Sequence, residues 1–370
     1  MNILVCNVGS TSLKFKLFTM PEEISLIECK IERVKSKEDG IFTYKNKETG
    51  EEVLLEKQSI LDYGRGIHLF LSYLLDLKIG VIKDIKDIDI IGFKTVLAKG
   101  YHGVHELTES VLDGMRQYLN VAPAHNKPYL EAIGQFKEVL PEALFVGVFE
   151  TDFHKTIPLE NRIYGVPYEW YKKYGIQKHG FHGSSHSYVS DYIKKRNNGK
   201  TGRLISCHLG GSSSICAIKD GKSIDNSLGF SPQAGLIQSS RVGDLDPFIL
   251  TYLHSEGIPI SEMIEDLSEN GGLLGISGIS GELPYIEKAA KEGSVQGKLA
   301  IAVFLYDIIR YIGSYIALLE GVDAITFTGG IGENGAFIRS MVCNKLSYLG
   351  LEIDEEKNKK NQLNSINFIK

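Results

Sequence analysis

The run His179-Gly180-Phe181-His182-Gly183-Ser184-Ser185-His186 concentrates imidazoles near the middle of the chain. The spacing of His182 and His186 would suit a zinc ion on one helix face, but glycines flank His182 and no H-E-x-x-H pattern occurs. Those glycines predict a loop, where a neutral or cationic imidazole donating to a phosphoryl oxygen is the stronger reading. Arg241 stands in Ser239-Ser240-Arg241-Val242-Gly243-Asp244. A lone arginine is usually half of a surface ion pair, whereas one framed by small residues can reach into a cleft as a fork for phosphate or carboxylate. Glu150 and Asp152 close an expected strand and are candidates for magnesium ligands or an acid–base pair. Two positions apart on a strand, they would point to the same face. Lys14 offers a point charge for phosphate, or else is a solvated strand residue.

The elements that would carry these groups begin with a strand at 3–6, a turn at Asn7-Val8-Gly9-Ser10-Thr11-Ser12, and a returning strand at 13–19 in which Leu13, Phe15 and Leu17 alternate. Residues 29–57, rich in Lys and Glu, are expected to form exposed hairpins. An amphipathic helix is predicted over 61–77, a short buried strand at 88–91, and helices at about 106–119 and 127–139. The strand 145–149 then ends at Glu150, where the domain boundary is placed. The opening pattern recurs about two hundred residues later, as a strand at 204–207, the turn His208-Leu209-Gly210-Gly211-Ser212-Ser213 and a strand at 214–218, before the hairpin signal Lys219-Asp220-Gly221-Lys222. Helices are expected at about 245–255, 260–267 and 294–319, the last stopped by Gly321 at a C-cap position. The strand 324–328 runs into Gly329-Gly330-Ile331-Gly332-Glu333-Asn334-Gly335 and a further helix.

Glycine and serine in such turns let backbone N–H groups and hydroxyls approach phosphate oxygens with no Cβ in the way. One such turn is usually a plain hairpin. Two at corresponding positions, with a third between strand and helix, resemble the layout of the actin/Hsp70/sugar-kinase superfamily. The resemblance implies an α/β fold of two duplicated ribonuclease H-like (actin-like ATPase) domains, residues 1–150 and 151–370, with a nucleotide cleft between them.

Bulk properties agree with a folded two-domain chain: 370 residues, 43% hydrophobic, 24% charged, formal net charge −5. No basic block offers nucleic acid an electrostatic footprint. The start MNILVCNVGS reads as a strand broken by a turn, not as a signal peptide. The apolar segment 299–319 carries Asp307 and Arg310, which favours a core helix over a membrane span. Five scattered cysteines with no C-x-x-C pair point to a reducing, cytoplasmic setting.

Further stretches, in order along nearly the whole chain, resemble the acetate kinase family of carboxylate kinases. They are N-V-G-S-T-S-L-K (7–14), A-P-A-H-N (122–126), F-E-T-D-F-H (149–154) and Y-G-I-Q-K-H-G-F-H-G-S-S-H (174–186). H-L-G-G-S-S-S-I-C-A-I (208–218), G-F-S-P-Q-A-G-L-I-Q-S-S-R-V-G-D-L-D-P (229–247), G-G-L-L-G-I-S-G (271–278) and F-T-G-G-I-G-E-N (327–334) continue the series. The resemblance implies reversible phosphorylation of a short carboxylate by ATP with Mg²⁺ (or Mn²⁺), giving an acyl phosphate and ADP, in a homodimer. It implies that Asn7, Ser10, Ser12 and Lys14 surround phosphate and metal; Glu150, in place of the family's catalytic aspartate, and Asp152, in place of its alanine, would join Asn7 at the metal. His125, His182, Arg241 and Lys94 would act on the transferring phosphoryl group. His208, Gly210, Gly211 and Ser212 would line the nucleotide phosphates, with Glu282, Gly330, Ile331 and Gly332 toward the nucleoside. Val96, Ala124, Phe181 and Pro232 would form the acyl pocket.

The chain departs from the family pattern at several of these positions. Lys94 replaces an arginine, Glu150 an aspartate and Ala124 a leucine. The nucleotide loop reads Gly210-Gly211-Ser212, and Ser280-Gly281-Glu282-Leu283-Pro284-Tyr285 lacks the family's arginine. The closing strand and helix of the family, with their metal-linked glutamate, have no counterpart. A smaller wall at Ala124 implies a substrate larger than acetate. The alternatives are a weakly active or non-catalytic nucleotide-binding paralogue, or a kinase with another phosphoryl donor such as pyrophosphate.

Overall fold

The computed structural model describes residues 1–360, apart from the side chains at 123 and 124. The chain divides into two compact units, Met1–Asp152 and Phe153–Lys370. In the first, β1 (Asn2–Gly9), β2 (Ser12–Thr19), β3 (Ile24–Glu32), β4 (Ser36–Asn46) and β5 (Glu52–Ile60) form an antiparallel meander. On its other side β1 pairs in parallel with β6 (Ile90–Phe93), which is followed spatially by β8 (Leu144–Phe149) and the antiparallel edge strand β7 (Gly103–Glu106). The sheet order is β5-β4-β3-β2-β1-β6-β8-β7.

Period-two alternation buries one face of this sheet: Leu4, Cys6 and Val8 on β1, Leu13, Phe15 and Leu17 on β2, Ile27, Cys29 and Ile31 on β3. The helices Tyr63–Leu74 and Pro123–Val139 cover it, Phe15 stacking on Phe70 at 4.3 Å between ring centres and meeting Phe136 edge-on at 5.9 Å. The opposite face is laced with exposed ion pairs such as Lys16–Glu28 and Lys30–Glu32. Two expectations are corrected here. The stretch 29–57 is not a set of exposed hairpins, because it extends the main sheet and buries Cys29, Ile31, Phe42 and Tyr44. The six-residue turn 7–12 shrinks to Ser10 and Thr11, since strand pairing continues to Gly9↔Ser12.

In the second unit, β9 (Arg203–His208), β10 (Ser214–Lys219) and β11 (Lys222–Asn226) are antiparallel, and β12 (Ala324–Thr328) pairs in parallel with β9, in the order β11-β10-β9-β12. Here both faces are covered, so β9 and β10 bury consecutive residues instead of alternating. The helix Gly183–Arg196 lays Val189 and Ile193 over Leu204, Cys216 and Ile218. The helix Val295–Leu318 lays Phe304, Ile308 and Ile312 over Ile205, Cys207, Ile215 and Ala217. It is long and apolar enough to cross a membrane, yet its inner stripe lies in this core. Ser294 caps its start, accepting from the Gly297 N–H at 3.0 Å. At its end both Glu320 (φ 60°) and Gly321 (φ 124°) take positive φ, and the Gly321 N–H reaches back to the Ile316 carbonyl at 2.8 Å.

Candidate active site

Candidate side chains of the first unit gather at the carboxyl ends of three adjacent parallel strands, where ligands of open α/β sheets bind. Asn7 lies near the end of β1, Lys94 follows β6, and Glu150 follows β8. Lys94 Nζ lies 3.0 Å from the Glu150 carboxylate, which is only 5% exposed, while the lysine side chain is 42% exposed. The Glu150 N–H donates to the Thr95 carbonyl at 3.2 Å, which ties the two strand ends together. Tyr129, fully inside the core, accepts from the Val8 N–H at 3.2 Å and donates to Asn7 Oδ1 at 3.1 Å. Burial raises the Tyr129 phenol, so it stays protonated as that donor. Tyr63 shares its hydroxyl proton between the carbonyls of Gly9 and Ser10 at 2.8 and 2.7 Å, pinning the β1–β2 turn. Ser10 is exposed and Ser12 half-buried at that turn. Lys14 is exposed directly across from Asn7, and among the described residues it makes no ion pair of the kind Lys16 and Lys30 make.

One geometric expectation fails. Glu150 and Asp152 are not on a strand, because β8 ends at Phe149 and a 3₁₀ turn, Glu150–Thr156, begins. With about three residues per turn, positions two apart diverge instead of sharing a face. Glu150 turns inward to Lys94, and the Asp152 carboxylate lies against Gly103 of β7, 3.1 Å from where a Cβ would stand. Val96 is buried beyond β6. His125 is half-buried in the first turn of the helix Pro123–Val139, and the side chain of Ala124 lies outside the described residues.

In the second unit β9 and β12 also end side by side, with Thr328 opposite His208. The turn after β9 and the turn after β12 interlock: the N–H groups of Ile331 and Gly332 donate to the Leu209 carbonyl at 2.9 and 3.0 Å. Gly329, at φ +76°, is required there, since a Cβ would stand 2.5 Å from that carbonyl oxygen. Gly330 faces open space and Gly210 lies beside it, so the two glycines form a cradle any larger residue would narrow. Ser239 fastens a third loop to this place, its N–H on Gly211 O at 3.1 Å and its hydroxyl on Gly281 O at 2.6 Å, which leaves neighbouring Glu282 exposed.

Arg241 donates to Ser212 Oγ at 3.0 Å and to Gln238 Oε1 at 3.2 Å. Burial pulls the guanidinium below its ordinary value, with Glu269 opposing. Gln238, unremarked in the sequence, is the hub: its Oε1 also accepts from Ser212 Oγ and the Ser213 N–H, and its amide nitrogen donates to Pro232 O at 2.8 Å. The segment carrying it is anchored by buried Asp307, which accepts from the Ile237 N–H at 3.0 Å. Only the i+3 and i+5 spacing of Gln238 to Arg241 and Gly243, in a stretch of small residues, hinted at such a loop.

His182 is the last residue of the loop that the flanking glycines predict, standing just before the helix Gly183–Arg196 in a left-handed conformation, φ 55°. Its ring lies 4.3 Å from that of His208, centre to centre, and its Nδ1 lies 2.8 Å from Ser214 Oγ. Phe181, buried, precedes it, and its carbonyl accepts from His154 Nε2 at 2.9 Å. Pro232 is likewise buried.

For a divalent cation the oxygen donors at hand are Glu150, Asp152 and the Asn7 amide. Among the described residues no group of three or more His, Cys, Asp or Glu converges on one point. Mg²⁺ carried on nucleotide phosphates needs only one or two protein carboxylates, a demand that Glu150 or Asp152 alone could meet.

The acetokinase family model matches residues 2–370. The acetate kinase of Treponema denticola is 41% identical over 368 residues, covering 97% of this chain and 91% of that protein. The crystal structure of Porphyromonas gingivalis acetate kinase superposes with a TM-score of 0.86 at 34% identity, covering 100% of this chain and 93% of that one. A propionate kinase from Francisella tularensis superposes with a TM-score of 0.89 at 33% identity, covering 100% and 94%. With that match spanning nearly its whole length, and with site loops folded as described, the chain belongs to the acetokinase family.

Proposed function

We propose that the chain transfers the γ-phosphoryl group of ATP to a short-chain carboxylate, reversibly. A carboxylate oxygen forms a bond to the γ-phosphorus, the bond to the bridging oxygen of ADP breaks, and an acyl phosphate results. The observation that carries the reading is the seating of Arg241 on Ser212 and Gln238, which holds a fixed positive charge at the Gly210–Ser212 turn. Phosphoryl transfer asks little covalent work of a protein, so positioned charge supplies most of the rate.

In this reading Arg241, His182, His125 and Lys94 act on the transferring group, and Glu150 holds Lys94. Ser10, Ser12 and Lys14 contact phosphate, as do His208, Gly210, Gly211 and Ser212. Glu282, Gly330, Ile331 and Gly332 meet the nucleoside. Asn7, Glu150 and Asp152 hold Mg²⁺ (or Mn²⁺), which when bound neutralises charge on the phosphates. Val96, Ala124, Phe181 and Pro232 contact the acyl chain, and alanine at 124 favours a chain longer than acetate. The common strand order, with β3-β2-β1-β6 answering β11-β10-β9-β12, supports a duplicated ribonuclease H-like architecture over domains 1–150 and 151–370. A cytoplasmic homodimer completes the proposal, supported by exposed Leu299 and Tyr306 on the helix Val295–Leu318.

The test is hydroxylamine trapping with ATP, Mg²⁺ and carboxylates from formate to hexanoate. Hydroxamate from at least one acid is expected, with propionate or longer acids above acetate. None from any, with folded protein, would refute catalysis.

A further inference from the structure

Behind His182 runs a buried chain of hydroxyls and imidazoles. His186, on the helix Gly183–Arg196, is 0% exposed, as are Ser206 on β9 and Ser214 on β10. His186 Nδ1 lies 2.9 Å from Ser206 Oγ, and its Nε2 lies 2.8 Å from Ser214 Oγ. Ser214 Oγ in turn lies 2.8 Å from His182 Nδ1. Full burial, with His154 and His208 adding to it, depresses the His186 pKa well below its ordinary value, so the ring is neutral and carries a single N–H.

That proton has two possible places, and the hydroxyl hydrogens choose between them. If His186 carried it on Nδ1, that N–H would donate to Ser206, whose own hydroxyl hydrogen would then have no acceptor among the described residues. A buried orphaned donor is costly. With the proton on Nε2, every hydrogen is used. Ser206 donates to His186 Nδ1, His186 Nε2 donates to Ser214, and Ser214, its lone pair so occupied, donates to His182 Nδ1. With His182 Nδ1 accepting, that ring's proton is on Nε2.

We propose that Ser206, His186 and Ser214 form a relay of positioning residues that fixes the tautomer of His182, so that its Nε2 carries the N–H that donates to the phosphoryl group. The assignment deepens the kinase reading and rests on it for the role of His182. A second anchor acts on the same residue: His154 Nε2 donates to the Phe181 carbonyl, at the peptide that leads into His182. The relay explains why serine stands inside β9 and at the start of β10, strands that otherwise bury largely apolar side chains. It also gives the left-handed His182 a fixed ring orientation.

The full-length protein with ¹⁵N-labelled histidine rings tests this by long-range ¹H–¹⁵N correlation, with His182→Asn and His186→Asn spectra used for assignment. Both rings are expected as single tautomers protonated at Nε2. A proton on Nδ1 of either, or averaging between tautomers, would overturn the relay. Ser214→Ala is expected to release His182 into a mixture and to lower kcat about tenfold, a part of what losing a transition-state donor costs, with KM for ATP little changed. Ser214→Thr keeps the hydroxyl and should restore both. An unchanged His182 spectrum and kcat in Ser214→Ala would overturn the proposal. Should that variant not fold, the wild-type spectrum still decides. Wild-type protein without kinase activity but with the expected spectrum would remove the kinase reading and leave the relay standing.

Discussion

The ion pair between Lys94 and Glu150 should behave as one unit in which the two departures from the family pattern cancel. Glutamate is one methylene longer than aspartate, and the lysine nitrogen sits one bond nearer its backbone than the terminal nitrogens of arginine. Either single reversal therefore misfits a pair now 3.0 Å apart. Glu150→Asp withdraws the carboxylate by about 1.5 Å, one C–C bond, to a separation of about 4.5 Å. At an effective dielectric constant of about 20, the lost Coulomb attraction is about 2 kcal/mol. Because the lysine is 42% exposed, screening reduces this to about 1 kcal/mol. The expected loss in kcat/KM for hydroxamate formation is thus about five- to tenfold for Glu150→Asp. Lys94→Arg should lose a similar amount, because the longer side chain must crowd the buried Glu150. The double variant should recover most of both losses, with a coupling energy of about 2 kcal/mol. Thermal melts of all four proteins control for folding. Additive losses within about 0.3 kcal/mol, or a double variant worse than either single one, would refute the compensation.

Gln238→Ala should disconnect Ser212, Arg241 and Pro232 together; the expected cost is about 2–3 kcal/mol in transition-state stabilisation, read as roughly a hundredfold fall in kcat/KM, whereas an unchanged value would remove Gln238 from the site. Tyr129→Phe leaves the buried Val8 N–H without its acceptor and Asn7 without its donor, and a loss of about 1–3 kcal/mol is expected in urea unfolding. His186 is held neutral in the fold with its pKa depressed below 6.5, so the unfolded chain binds its proton first. Stability from this group is full above about pH 6.5 and is lost as the pH falls below it, by up to about 1.4 kcal/mol per pH unit. His186→Asn should flatten the dependence of the urea midpoint on pH between 7 and 5, and an unaltered slope would show that His186 does not contribute.

Much of this molecule was legible along the chain because periodicity reports burial within one element. The alternation of Leu13, Phe15 and Leu17 marked β2, and the β-branched run before Gly329 marked β12. Asp307 and Arg310 inside an apolar segment excluded a simple membrane span, and the segment proved to be a core helix. The Gly/Ser turns announced close backbone approach, because only small residues let backbones interlock as Leu209 and Gly329 do. Family motifs, in order, placed the chain among acetokinases.

Other features depended on pairings between distant residues, to which local pattern is blind. That β4 and β5 extend the main sheet follows from their pairing, not from their lysine-rich composition. The end of β8 one residue before Glu150 separated Glu150 from Asp152 and gave Glu150 to Lys94, fifty-six positions earlier. Nothing in the sequence singled out Gln238, Ser206 or Ser214; a neutral amide and two serines acquire meaning only when strand order brings acceptors within hydrogen-bond reach. Residue types and spacing determined which chemistry the chain could perform. Only the tertiary structure decided which donor faces which acceptor, because hydrogen bonds demand ångström placement that no one-dimensional pattern specifies.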